Sequence, residues 1–228
     1  MIIFDNVSKA FPRPSGGKKV ILDRFTAAFR PGINVGILGR NGAGKSTLMS
    51  LISGSDLPDS GRILREGKIS WPLGFGGGVH AKLTGAQNTR FIADIYGKNR
   101  NKVLDFVADF SELGSYLDMP VKTYSAGMRA RLSFGICMAI EFEYYLIDEV
   151  IAVGDTTFRK KCKEVFDQRR ENATLLLVSH SANLLRSFCD IGGVMNNGQL
   201  TFYSDIEEAI QVHEEILKTS SPAKRKSA

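Results

Sequence analysis

Two glycines frame four residues, and a lysine and two hydroxyl residues come next: Gly39, Arg40, Asn41, Gly42, Ala43, Gly44, Lys45, Ser46, Thr47. This spacing suits a nucleoside triphosphate. With so little side-chain bulk, backbone N–H groups can turn inward on phosphate oxygens, and a following helix presents its positive end. Lys45 would reach the β/γ-phosphates, and the Ser46 hydroxyl would ligate Mg²⁺. A second chemistry sits at Tyr145-Leu146-Ile147-Asp148-Glu149, an apolar strand closing on two adjacent carboxylates. Asp148 can orient metal-bound water, and Glu149 can polarise an attacking water for hydrolysis. A kinase would not need that second carboxylate to accept a water proton. A third sits at Ser179-His180, after the apolar run Thr174 to Val178. There His180 can donate to a γ-phosphate.

Two further features bear on the same ligand. Tyr124-Ser125-Ala126-Gly127-Met128 leads into Arg129 to Phe134. A serine followed by small residues at a helix start makes a second anion-binding N-terminus; spacing alone equally describes an ordinary capped helix. Phe11 is an aromatic on an early hairpin, placed either to stack on adenine or to pack the hairpin.

The elements that must position these groups are set by the pattern of apolar residues. Ile33 to Leu38 is apolar and β-prone, and Thr47 to Ile52 reads as a helix, so the glycines fall at a strand-to-helix turn. Ile2-Ile3-Phe4 and Val20-Ile21-Leu22 read as short strands around the turn-rich Pro12 to Gly17, with Thr26 to Phe29 as another strand and Arg62-Ile63-Leu64 as a later one. Gly74 to Gly78 is too rich in glycine for regular structure and reads as a mobile joint. Apolar positions Phe91, Ile92, Ile95 and Tyr96, then Val103, Leu104, Phe106, Val107 and Phe110, recur at helical spacing, so residues from about 86 to 141 form a mainly helical insert. Helices over Thr157 to Arg170 and Ala182 to Phe188 then alternate with the strand Thr174 to Val178, and Gly193 to Met195 and Leu200 to Tyr203 flank an Asn-Asn-Gly turn. Such alternation implies a parallel sheet with its ligand at the carboxyl ends of the strands.

The chain has 228 residues, 43% of them hydrophobic, enough for a substantial core. Its longest apolar runs fall well short of a membrane span, and the start lacks a secretory pattern. Cys137, Cys162 and Cys189 show no CxxC spacing, which indicates free thiols in a reducing compartment. The formal charge of +6 suits nucleic acid, anionic lipid or a phosphate ligand. Part of it lies in Lys224-Arg225-Lys226, within a polar tail over residues 219 to 228 that reads as disordered: solvated charge first, then an anchor to acidic headgroups, then a nucleic-acid contact.

Taken together, these residues resemble the ATP-binding subunit of ABC transporters over nearly the whole chain, from Ile2 to about Glu215, which implies one nucleotide-binding domain over residues 1 to 218. The resemblance implies an α/β fold with a phosphate-loop (RecA-like) ABC ATPase core, an N-terminal antiparallel β subdomain and an inserted helical subdomain. On it, Gly39 to Thr47 is the first nucleotide motif, Tyr145 to Glu149 the second, Ser125, Ala126 and Gly127 the family signature, Ala152 to Asp155 the loop that also faces nucleotide, His180 the switch histidine, and Phe11 the adenine-stacking aromatic. Within the family, ISWPLGFGGG, LTGAQN, DMPVKTYSAGMRARLSFG and IDEVIAVGD look like the capsular-polysaccharide export ATPases of Gram-negative bacteria, as does an end near residue 228. The same resemblance implies ATP and Mg²⁺ as ligands, a homodimer with each ATP between the phosphate loop of one subunit and the signature of the other, and two integral-membrane permease subunits engaged through the insert and the segment Trp71 to Asn88. Periplasmic and outer-membrane export components are indirect partners, no nucleic acid is expected, and the location is the cytoplasmic face of the inner membrane. The rivals are a related O-antigen or teichoic-acid exporter and a soluble, non-transport ABC ATPase. Two departures stand out: Gly74 and Phe75 occupy the place of the family's sheet-to-insert glutamine, and the signature reads YSAGM where LSGGQ is commoner.

Overall fold

A computed structural model describes residues 1–73, 78–148 and 156–219. Chain contacts divide it into two compact units: Met1–Ile52 with Asp56–Arg65 and the chain from Leu176 onward, and Ser53–Ser55 with Glu66–Leu175.

The first unit holds two sheets. β1 (Ile2–Pro12) and β2 (Lys18–Phe29) form a hairpin far longer than the separate three- and four-residue strands read from the sequence. The pairing shifts register between Phe4 and Val7, between Val7 and Lys9, and again before Ala10, and Arg24 takes a φ of 45°. These irregularities interrupt the apolar alternation, so one strand looks like two. β4 (Ser60–Arg65) pairs with the other edge of β1, antiparallel. Phe4, Phe25 and Phe29 fill the space beneath, with Phe4 in edge-to-face contact with both partners at 5.2 and 6.2 Å.

The second sheet of this unit runs β6-β3-β7-β8, with β3 (Val35–Gly39), β7 (Ile191–Asn196) and β6 (Thr174–Val178) parallel. β8 (Gln199–Tyr203) returns antiparallel through the Asn196-Asn197-Gly198 turn. α1 (Lys45–Ser53) follows β3 directly, its apolar Leu48, Met49, Leu51 and Ile52 buried. The Arg65 guanidinium donates to the carbonyls of Ile52 (3.0 Å) and Leu51 (2.6 Å), closing acceptors that the end of α1 leaves open. α6 (Ala182–Phe188) and α7 (Ile206–Thr219) lie so close to the sheet that only glycine fits beneath them. A Cβ on Gly36 would stand 2.9 Å from Leu185, and one on Gly192 would stand 2.1 Å from the Cβ of Ala209.

The second unit contains the helical block. α2 (Gly85–Ile95) starts at Thr84, whose hydroxyl accepts from the Gln87 N–H while the Gln87 side chain accepts from the Thr84 N–H, a reciprocal cap. α3 (Arg100–Ser111) is capped by Asn99, two 3₁₀ turns follow at Gly114–Asp118 and Val121–Thr123, and α4 (Ala126–Ala139) buries every residue from Leu132 to Met138. Phe110, Phe134, Phe158 and Phe166 form a continuous ring cluster with α5 (Thr156–Arg170). β5 (Tyr144–Asp148) emerges behind it. All three cysteines are free and buried, and burial pushes the Cys162 and Cys189 thiols up to about 12. Among the described residues no helix is long and apolar enough to cross a membrane.

Candidate functional site

In the first unit, the turn from β3 into α1 has the shape its glycines anticipate. Gly44 has φ +109°, and a Cβ there would stand 2.6 Å from Ile21 and 2.8 Å from Met195, so a side chain would both strain the turn and collide. The loop is thus clamped between the hairpin and β7 while its open side stays bare. Lys45 is buried, and its ammonium donates to the carbonyls of Gly39 (2.6 Å) and Arg40 (3.1 Å), which holds the charge across the loop. Ser46 is exposed and Thr47 half-buried on the first turn of α1. Lying beside Arg40, Asn41, Gly42 and Ala43 is a cavity of about 550 Å³ whose far walls are Lys19 to Ile21 and the Asn196-Asn197-Gly198 turn.

The same unit brings two other expected residues into place. β3 pairs in parallel with β6 through Ile37 and Val178, so Gly39 and His180, each two residues further, leave the sheet at one edge. His180 is exposed there, just ahead of Ser181, whose hydroxyl accepts from the Leu184 N–H to cap α6. Phe11, near the end of β1, is 39% exposed, with the Lys9 ammonium 5.2 Å from its ring centroid. Lys9 is held from behind by Asp56 and the Leu57 carbonyl, both at 2.7 Å, and it pulls the Asp56 carboxyl below the usual carboxylate range. An aromatic left this open is not filling a core.

In the second unit, Ser125 takes an extended conformation as N-cap of α4, and its hydroxyl accepts from the Met128 N–H at 3.2 Å. Ser125 and Ala126 are exposed. A Cβ on Gly127 would meet only the Ser125 hydroxyl, at 3.9 Å, so nothing in the described chain demands a glycine there. Asp148 ends β5 half-buried, its N–H donating to the Leu73 carbonyl at 2.9 Å. Glu149, the stretch Ala152 to Asp155, the glycine run at 74–77 with its departure from the family pattern, and the tail from Ser220 all lie outside the described residues.

Two residues at this site escaped the sequence. His213 on α7 is buried, and its Nδ1 has no hydrogen-bond partner among the described residues. Burial above all, then the nearby Lys45 and His180, pushes its imidazole below the ordinary histidine range. Lys19 faces the loop from β2. Neither has a motif around it, and only its place in the fold marks it.

Comparison with known proteins agrees with this geometry. The family model described as ABC transporter matches residues 22–152. The chain is 49% identical to the polysialic acid transport ATP-binding protein KpsT of Escherichia coli, covering 92% of this chain and 97% of that one. It is 46% identical to the ATP-binding protein BexA of Haemophilus influenzae, covering 96% and 100%. Among solved structures, the dimeric ATP-binding cassette MJ0796 bound to ADP and Pi superposes with a TM-score of 0.77 at 19% identity, over 90% of this chain and 98% of that one. With a glycine-framed lysine at the carboxyl edge of a parallel sheet, a serine-capped helix behind a helical block, and relatives that align over nearly their full length, the chain belongs to the ABC transporter family.

Proposed function

We propose that this chain is the ATP-hydrolysing subunit of an exporter of capsular polysaccharide, working at the cytoplasmic face of the inner membrane with two integral-membrane permease subunits. The observation that carries it is the complete phosphate loop around Lys45 in a chain 45–49% identical to transport and export ATP-binding proteins whose names specify polysialic acid or capsule polysaccharide. Relatives named for teichoic acid or O-antigen export are more distant, at 36% and 34%. On this reading the loop N–H groups and Lys45 hold the β/γ-phosphates in place of the Gly39 and Arg40 carbonyls, and Phe11 stacks on the base.

Ser46 and Asp148 are the residues that would hold Mg²⁺. A hydroxyl and a carboxylate are hard oxygen donors, the kind that suits Mg²⁺. When bound it offsets charge on the transferring group. Glu149 would accept the proton of the attacking water, and His180 would donate to the γ-phosphate. Ser125, Ala126 and Gly127, with Asp155, would face the nucleotide held by a second copy of the chain. The bare Gly127 supports this, since a glycine without internal neighbours leaves room for something outside. Residues 1–218 then form one nucleotide-binding domain carrying the helical subdomain, followed by the basic tail at 219–228.

The test is a capsule-deficient strain lacking its own ATP-binding export subunit. The wild-type chain should restore surface polysaccharide and co-purify with permease from detergent-solubilised membranes, and Lys45→Ala should restore none while its ATPase activity vanishes. Normal turnover by Lys45→Ala would remove the phosphate-loop assignment. ATPase activity without any rescue or permease capture would point to the soluble alternative.

A further inference from the structure

Lys19 stands directly across from Phe11 in the β1–β2 register. From there its ammonium reaches the phosphate loop, where a Cβ on Gly42 would stand 3.7 Å from Lys19 Nζ. The side chain forms one wall of the 550 Å³ cavity, and Arg40, Asn41 and Gly42 form another. Among the described residues Lys19 takes part in no ion pair, and the single carboxylate on the cavity wall, Asp23, lies 3.7 Å from Arg24. A lysine ammonium is thus held over a loop whose own turned backbone already favours anions. Two positive features facing one cavity repel each other until an anion enters.

We infer that Lys19 is a second nucleotide-binding cation, supplied by the hairpin, that contacts the 5′-phosphate nearest the ribose. The position selects that phosphate. If Phe11 holds the base and Lys45 the β/γ end, a group on the strand beside Phe11 that reaches Gly42 falls between the two. Its ligand is a nucleoside 5′-phosphate of any length, with the charge of the first phosphate as the feature read. Arg40 borders the same cavity and extends the positive wall. The inference rests on the proposed nucleotide site and adds a residue that no phosphate-loop pattern contains.

The experiment is titration of the full chain with ATP, ADP and adenosine, comparing wild type with Lys19→Ala, Lys19→Glu, Lys19→Arg and Lys45→Ala. Loss of one charge-assisted contact to phosphate should weaken ATP and ADP by the same factor, about three- to tenfold for Lys19→Ala. Lys19→Glu should lose more, Lys19→Arg should recover most of the affinity, and adenosine should bind all four Lys19 forms alike. The thermal midpoint without nucleotide should not fall, because Lys19 is exposed and its loss removes no packing. Unchanged ATP affinity in Lys19→Ala and Lys19→Glu, with the expected loss in Lys45→Ala, would overturn the inference and leave the nucleotide site standing. A larger loss for ATP than for ADP would move the contact to the terminal phosphate and refute the assignment. Should Lys45→Ala also bind normally, the nucleotide site itself falls and the inference with it.

Discussion

Gly127→Ala separates what a residue does inside its own chain from what it does for a second one. Gly127 lies in the first turn of α4, and its new Cβ would meet only the Ser125 hydroxyl at 3.9 Å, an ordinary contact. Alanine is the better helix former by up to about 1 kcal/mol, so the isolated chain should be stabilised by about 0.5–1 kcal/mol, a rise of a few degrees at most in the thermal midpoint. Binding of ATP by the isolated chain should be unchanged. If another copy's nucleotide closes on this surface, the same methyl is forced into a packed contact, at a cost of about 1–3 kcal/mol, or roughly 5- to 150-fold in pairing and turnover. Thermal denaturation, nucleotide titration and steady-state ATPase measurements on one preparation read all three quantities. Gly127→Asp adds a charge facing phosphate and should abolish turnover. Pairing it with Lys45→Ala then tests the arrangement: a mixed dimer keeps one intact phosphate loop facing one intact signature, and should trap nucleotide with vanadate where neither homodimer does. Wild-type turnover by Gly127→Ala, or mixed dimers that trap no more than the homodimers, would refute the shared-site reasoning; a lowered thermal midpoint would refute the contact argument.

Three other outcomes are expected of the site and its supports. Glu149→Gln should bind ATP but fail to hydrolyse it and accumulate as an ATP-dependent dimer on size exclusion; normal hydrolysis would move the base elsewhere, with His180 next in line. The imidazole of His213 is held below its ordinary range, so below the unfolded value the unfolded chain takes up a proton that the folded chain resists. Its contribution is therefore intact above about pH 6.5 and is lost as pH falls below it; the thermal midpoint should decline as pH drops below about 6.5, and His213→Gln should flatten that decline. Gly192→Ala should destabilise the first unit by about 1–3 kcal/mol, because its Cβ would overlap that of Ala209, and co-mutation Ala209→Gly should recover most of the loss on chemical denaturation.

Much of the candidate site was legible in the order of residues alone, and the reason is local. A phosphate loop works through consecutive backbone N–H groups and one lysine, so its residues must be contiguous and their spacing carries the chemistry. The strand ends at Asp148 and His180 were legible for a related reason, since an apolar run followed by a polar residue marks where a buried strand leaves the core. The helical insert declared itself by period, and the Asn-Asn-Gly turn by composition.

What only the tertiary structure decided depends on pairing between distant segments. The long hairpin of β1 and β2 was hidden because bulges break its alternation, and the strength of that pairing comes from cross-strand partners. Gly36 and Gly192 look like unremarkable strand glycines until α6 and α7 are laid over them. Lys19 is one basic residue of a turn-rich stretch, and His213 one polar residue of an amphipathic helix. The first matters because its register opposite Phe11 carries the ammonium to Gly42, the second because α7 buries its imidazole within the influence of Lys45 and His180. Neither effect has a local pattern, because each is set by residues that are neighbours in space and far apart in the chain.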